Sequence, residues 1–298
     1  MSYEPPVFEP GRRSTDERVR LLEAKVEYLL DEVSQIRTLL RHLVAEKMDT
    51  LPFFQQTRDS FDYQWRNLPE GLAMPSNDAW LANAPSEVAK FTSRPREWFA
   101  GKKVLDAGCG QGRWSYAFCK LGVGKLVSVD ISPGGLDRTR RITAEFGDRV
   151  EVHRRNLLEE LGLEPDFDLV WCFGVLHHTG NTYRGFRNVS TLVKPGGYLF
   201  LMLYTEPRPD RPDDYQYYHE IFDLRCRLRN MPFEEKVSRL EQTYGKELLH
   251  GYFDAVSPEV NDLYRWDEIV QWLIAAGFTN VQRTVDAPNH YVVAQRKA

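Results

Sequence analysis

The chain has 298 residues, 42% hydrophobic, 12% aromatic and 28% charged, a balance that excludes a wholly disordered or collagen-like polypeptide. With 39 Lys+Arg against 43 Asp+Glu the formal net charge is -4, so nucleic acid is not the default partner, although a local basic patch stays open. The four cysteines, Cys109, Cys119, Cys172 and Cys226, form neither a CxxC pair nor zinc spacing, and read as reduced thiols in a cytoplasmic protein.

Taken in chain order, residues 1–13 are rich in Pro, Gly and Arg and read as a flexible tail without the apolar core of a signal peptide. Ser14 and Glu17 have capping-box spacing. An apolar repeat then runs through Val19, Leu22, Val26, Leu29, Val33, Ile36, Leu40 and Leu43 in alternating steps of three and four. This predicts a coiled-coil helix over 14–48, about 38 Å long from Val19 to Leu43. β-Branched residues at most a positions and leucine at most d positions favour a parallel pair, with Arg18 facing Glu23 and Glu32 facing Arg37 of the partner. The same stripe, widened by Leu30, Leu39 and Val44, also suits one amphipathic helix packed on its own body or a higher oligomer. Residues 49–100 form a connector holding Phe53, Phe54, Phe61, Tyr63, Trp65, Trp80, Trp98 and Phe99, too apolar for a mere linker and able to act as a lid.

From residue 101 to 298, short apolar runs alternate with helical patterns, as in a series of βαβ units. Strands are predicted at 103–107, 125–130, 149–153, 167–172, 197–204, 280–286 and 290–296, and helices at 112–121, 133–146, 182–193 and 267–276. An insertion, 205–265, carries two helical patterns at 214–229 and 233–248 and reads as a helical cap. The longest apolar run, Leu169 to Leu176, is too short to span a bilayer.

The sharpest motif is KKVLDAGCGQGRW, in which a buried strand runs into Gly108, Gly110 and Gly112 and then a helix. Glycines there permit a tight turn and let a ligand lie on bare backbone. Dinucleotide-binding proteins use a similar turn. Two features separate the cases: the spacing is GxGxG, and Asp106 stands where it would repel a pyrophosphate but hold a cation. The next strand ends LVSVD, placing Asp130 where an acid takes ribose hydroxyls. Asn156-Leu157 after the third strand suits an adenine edge. The fourth strand reads FDLVWCFGVLHHT, and KPGGYLFL introduces the fifth.

This series resembles the class I S-adenosylmethionine-dependent methyltransferases, closely over 102–204 and more loosely through EIVQWLIAAGF to the final strand pair. The resemblance implies an α/β fold with a seven-stranded, mostly parallel sheet in the order 3-2-1-4-5-7-6, the last strand antiparallel. It implies S-adenosyl-L-methionine as cofactor. Asp106 and the loop Gly108, Cys109, Gly110 and Gly112 would hold its methionine end, and Asp130 its ribose. Ile131 would pack on the adenine, with Asn156 and Leu157 reading the adenine edge. Phe173 and Gly174 would border the sulfonium. The family more often has aspartate at the position of Asn156. SFDYQW (60–65) resembles a segment that covers the cofactor in some members, which makes Tyr63, Gln64 and Trp65 lid candidates, Trp65 in contact with the cofactor. Arg113 is read either as reaching the cofactor carboxylate or Asp130, or as a solvated first-turn arginine.

Methyl transfer to a hydroxyl or amine needs a proton acceptor, and His177 and His178 stand just past the fourth strand, where open α/β sheets place ligands. His219, His250, Asp254 and His290 are further candidates in or after the insertion. The expected acceptor is a small molecule or a glycan, methylated on oxygen or nitrogen by a cytoplasmic enzyme self-associated through its coiled coil. Three other readings stay open: a cofactor-binding scaffold without turnover, a tRNA or DNA methyltransferase, and a nicotinamide-dependent oxidoreductase. The NPPY-type tetrapeptide of amino-methylating DNA enzymes is absent after the fourth strand, and Asp106 disfavours the oxidoreductase.

Overall fold

The structure, a computed structural model, describes residues 52–68, 79–208 and 211–298, together with Val19. The tail and the coiled-coil helix expected from the sequence lie outside these residues. All described residues but Val19 belong to one compact unit, Lys47–Ala298.

Strands β1 (Lys103–Ala107), β2 (Lys125–Asp130), β3 (Val150–Arg154), β4 (Phe167–Phe173), β5 (Val193–Leu203), β6 (Phe278–Arg283) and β7 (His290–Arg296) form one sheet. Its order is β3-β2-β1-β4-β5-β7-β6, as the sequence resemblance implies. β7 runs antiparallel to both β5 and β6, and the other pairs are parallel. Strands β1, β2 and β4 read as continuous apolar runs because both faces of the sheet are covered. Alternate residues supply the two faces. Leu105, Val127, Val129, Val170, Leu199 and Leu201 enter one core with Phe186, Val189 and Leu273. Val104, Leu126, Leu169, Trp171 and Phe200 enter the other with Val88, Trp114 and Phe118. Trp171 and Phe200 stack across β4 and β5 at 3.9 Å between ring centroids.

The helices of eight residues or more among the described residues are α1 (Pro52–Asn67), α2 (Ala84–Thr92), α3 (Arg113–Lys120), α4 (Pro133–Thr143), α5 (Thr182–Ser190), α6 (Pro212–Leu228), α7 (Phe233–Val256) and α8 (Trp266–Ala275). Several predicted bounds shift. β5 begins at Val193 because a register break opposite Phe167 and Leu169 accommodates Gly196, whose φ is 74°. The helix after β2 ends at Thr143, and a 3-10 stretch interrupted at Gly147 follows. α7 runs past the predicted end at 248 to Val256, with a break in its backbone at Gly245. α6 and α7 close a third apolar cluster that includes Ile221, Leu224, Leu228, Leu240, Leu249 and Phe253. No helix of the described residues is long and apolar enough to cross a membrane.

The aromatic connector contains α1, which packs on α4 and α7 rather than forming a loop. Its inward stripe is Phe54, Thr57, Ser60 and Gln64, spaced three and four apart and mostly polar. Hydrophobic periodicity therefore gives no sign of it.

Candidate active site

The strand order reverses between β1 and β4, and the crevice outside their carboxyl ends is where this architecture binds ligands. A cavity of about 260 Å³ lies there. Its floor is the turn after β1. Gly108, Gly110 and Gly112 have φ of 85°, 48° and 86°, in the left-handed region that favours glycine. A Cβ on Gly108 would stand 2.3 Å from Val175 Cγ2. Asp130 at the end of β2 ties this turn to the next one: Oδ2 accepts from Gly110 N and Oδ1 from Ser132 N, both at 2.8 Å. Each oxygen keeps a second lone pair for a ligand hydroxyl. Burial pushes the Asp130 carboxyl up from its ordinary value, against the pull of these amides.

Gly108, Cys109, Gly110, Asp130, Ile131, Asn156, Leu157, Phe173, Gly174, Trp65 and His178, all expected from the sequence, line the cavity. Asp106, Gly112 and His177 do not. Asp106 is 1% exposed inside β1, its Oδ2 accepting from Ser115 Oγ at 2.6 Å and its Oδ1 buried without a partner. Burial raises its pKa to about 7. Gly112 starts α3 and backs onto Thr139, where a Cβ would come within 2.7 Å of the Thr139 hydroxyl. His177 and His178 share a single 3-10 turn, Leu176–His178, in which successive side chains diverge by about 120°. Only one can therefore face the cavity. His177 is fully buried against Tyr204, 3.9 Å between ring centroids, and neither ring nitrogen has a hydrogen-bond partner.

Asn156 lines the cavity but its side chain is engaged locally. Oδ1 accepts from Leu158 N at 3.0 Å and Nδ2 donates to Glu159 at 3.1 Å, an Asx turn that shapes the loop. Arg113, read from the sequence as reaching the cofactor carboxylate or Asp130 or as solvated, lines the cavity, pairs with Glu87 at 2.5 Å and lies over Trp114.

Helix α1 roofs the cavity through Phe54, Thr57, Arg58, Phe61 and Trp65. Trp65 lies on the bare backbone of two turns, 3.1 Å from a Cβ built on Gly110 and from one built on Gly135. Asp62 fastens this end of the helix, Oδ1 accepting from Ser132 Oγ at 2.7 Å and from Gly134 N at 2.9 Å. Of the three lid candidates only Trp65 faces the cavity. Tyr63 packs on Phe233 and Phe253, and Gln64 is buried beside His250.

The far wall comes from the cap. His250 and Asp254, one turn apart on α7, line the cavity, and Tyr204 donates to Asp254 Oδ2 at 2.7 Å. Burial raises the Asp254 carboxyl and lowers the His250 imidazole. His219 is exposed on α6, and His290 is buried against the Tyr264 carbonyl at 2.8 Å, so neither belongs to the site. His178 is held by a 2.9 Å contact from Nδ1 to Val260 O, and burial pushes its pKa down to about 4. Thr57, Arg58 and Met202 also line the cavity. Sequence reasoning passes over them because Thr57 and Arg58 belong to no motif, and Met202 reads as an ordinary strand residue.

Residues 104–197 match the family model described as a methyltransferase domain. Over 104 residues the chain is 36% identical to the ubiquinone biosynthesis O-methyltransferase of Xanthomonas euvesicatoria, covering 34% of this chain and 43% of that relative. An uncharacterized Synechococcus protein is 30% identical over 135 residues, 44% of this chain and 32% of its own. The chain thus spans less than half the length of these curated relatives. Among solved structures, magnesium protoporphyrin IX methyltransferase of Synechocystis with bound SAM superposes with a TM-score of 0.52 at 16% identity, covering 83% of this chain and 98% of that one. An O-methyltransferase family protein of Burkholderia thailandensis gives a TM-score of 0.51 at 18% identity, covering 90% and 70%. The chain therefore shares the α/β fold of these solved structures, and helices α1, α6 and α7 stand outside the segment that the family model matches.

Proposed function

We propose that this chain transfers a methyl group from S-adenosylmethionine to an oxygen or nitrogen of a small-molecule or glycan acceptor. The observation that carries this reading is the cavity at the β1/β4 switch point, floored by bare glycine backbone and flanked by Asp130. The residues fit the cofactor. Gly108 and Gly110 leave backbone open to its methionine end, Asp130 has lone pairs for its ribose, and Ile131 and Leu157 offer apolar faces to its adenine. Asp106, two residues before the turn and behind the cavity, would when ionised favour an ammonium there through its charge and not by contact.

When bound, S-adenosylmethionine supplies a methyl activated by its sulfonium, released by in-line displacement with the electron pair staying on sulfur. The chain supplies alignment and a roofed, water-poor site, effects worth up to about 7–11 kcal/mol when geometry is ideal. His178 Nε2 takes the proton that the acceptor oxygen or nitrogen sheds as its bond to carbon forms. Its imidazole is neutral above about pH 4, so the lone pair is present throughout the neutral range. A weak base suffices, because the acceptor atom becomes strongly acidic as it gains the methyl group. The lining joins Phe54, Phe61 and Phe173 to Asp254, His250 and the arginines Arg58, Arg113 and Arg155, a mixed apolar and polar surface that supports a small acceptor carrying polar groups.

Calorimetry with S-adenosylmethionine, followed by detection of S-adenosylhomocysteine on incubation with acceptor pools, tests the proposal. Absence of binding by the folded chain would refute it, and binding without turnover of any acceptor would favour the scaffold reading. The heptad repeat of residues 14–48 supports self-association through a coiled coil. Deleting residues 1–48 should lower the solution mass to that of a monomer, and a truncated dimer would place the interface on the body.

A further inference from the structure

The chain segment that follows α7 is held from three sides. From the lid, Gln56 Nε2 donates to Ser257 O at 2.8 Å, Gln56 Oε1 accepts from Glu259 N at 2.8 Å, and Ser60 donates to the Ser257 hydroxyl at 2.8 Å. Also from the lid, Thr57 Oγ1 accepts from Val260 N at 2.9 Å. From the cap, the Arg225 guanidinium donates to the carbonyls of Ala255 and Glu259 at 2.8 and 2.9 Å. From the turn after β4, the His177 carbonyl accepts from Asp262 N at 2.9 Å, and His178 Nδ1 meets Val260 O at 2.9 Å.

The directions of these bonds are determined by chemistry. Thr57 gives its own proton to Phe53 O at 2.8 Å, so its oxygen is free to accept from Val260. A carbonyl can only accept, so His178 must carry its proton on Nδ1. Nε2 is then a bare lone pair, buried without a partner in the protein, on a residue that lines the cavity. The imidazole is further framed by Phe61 at 4.8 Å, His177 at 4.2 Å and Tyr204 at 5.4 Å between centroids.

We propose that Thr57 is a positioning residue: from the lid helix it fixes Val260, and through Val260 it selects the Nδ1–H tautomer of His178 and so leaves Nε2 as the bare, proton-accepting nitrogen. This rests on the reading of His178 as proton acceptor. It makes the competence of that histidine conditional on a seated lid, so that water entering an unroofed cavity meets an imidazole free to adopt either tautomer. Gln56 holds the same segment but neither of the Val260 groups, and Thr57 is the lid residue in contact with Val260 N.

Nitrogen-15 histidine spectra of the full chain at pH 7.5 read this directly and need no acceptor, with H178Q supplying the assignment. The wild type should show His178 as the Nδ1–H tautomer. T57V should lower the ratio of Nδ1–H to Nε2–H at least threefold. T57S should restore it, and Q56A, which loosens the same segment without touching Val260, should leave it within twofold of wild type. T57C, milder in packing, carries the same expectation should T57V fail to fold. An Nε2–H signal in the wild type overturns the proposal. So does a change below threefold in the Thr57 variants, or an equal change in Q56A. Undiminished S-adenosylhomocysteine release by H178Q, with an acceptor the wild type turns over, would remove the base reading and leave the tautomer result standing.

Discussion

Replacing Asp106 with asparagine should stabilise the fold at neutral pH and weaken the cofactor site together. Asp106 is 1% exposed, with one oxygen bonded to Ser115 at 2.6 Å, the other unpartnered, and the charge of Asp130 nearby. Burial, the largest cause, raises its pKa from 3.8 to about 7. Between about pH 4 and pH 7 the folded chain therefore keeps a proton that the unfolded chain has released. Stability falls as pH rises through that window and is level above it. At about 1.4 kcal/mol per decade of proton concentration, the separation corresponds to an upper bound of about 4 kcal/mol. Asparagine preserves the acceptor for Ser115 but sets an amide donor where Oδ1 lacked a partner, a cost of about 1–3 kcal/mol. The net expectation is a gain of about 1–3 kcal/mol at pH 8 and none, or a loss, at pH 5. Urea unfolding at the two pH values measures it. A D106N protein whose stability tracks wild type across the window, or that is the less stable at pH 8, would refute the reasoning. At pH 8, where the wild-type carboxyl is ionised, a neutral amide should also weaken S-adenosylmethionine binding by calorimetry, because a charge behind the glycine turn no longer favours an ammonium; at pH 5, where the wild-type carboxyl is already neutral, affinity should not change.

Two further substitutions probe the floor and the roof. Asp130→Ala removes the acceptor for two buried amides, Gly110 N and Ser132 N, and should cost about 1–3 kcal/mol of stability with a large loss of S-adenosylmethionine affinity by calorimetry. Unchanged affinity would place the ribose elsewhere. Gly180→Ala puts a Cβ 1.7 Å from Phe54 Cε1 at a φ of 75°, so the lid must lift or the turn must shift. Destabilisation of about 1–3 kcal/mol and faster proteolysis within residues 52–68 are expected. Wild-type behaviour would show that Phe54 is not seated there.

The sheet and the floor of the site were legible in the residues because their determinants are local. Continuous apolar runs such as KVLDA and FDLVWCF mark strands covered on both faces, and a GxGxG turn demands left-handed backbone that glycine alone adopts easily. Asp130 at a strand end follows from the same local logic. The roof was legible only as aromatic content. The inward stripe of α1 is largely Thr57, Ser60 and Gln64, whose partners lie about 190 to 200 residues away in sequence, at 250–260, and no periodicity announces them. Which histidine serves the cavity was likewise beyond the motif LHH. Adjacent residues on one 3-10 turn diverge, and the choice falls to Tyr204 stacking on His177 while the Val260 carbonyl holds His178. Amino-acid order alone determined the strands, the glycine turn and the acid that ties it. Long-range packing decided the lid, the burial of Asp106 and the direction of His178, because burial and hydrogen-bond direction depend on groups distant in sequence that meet only after folding.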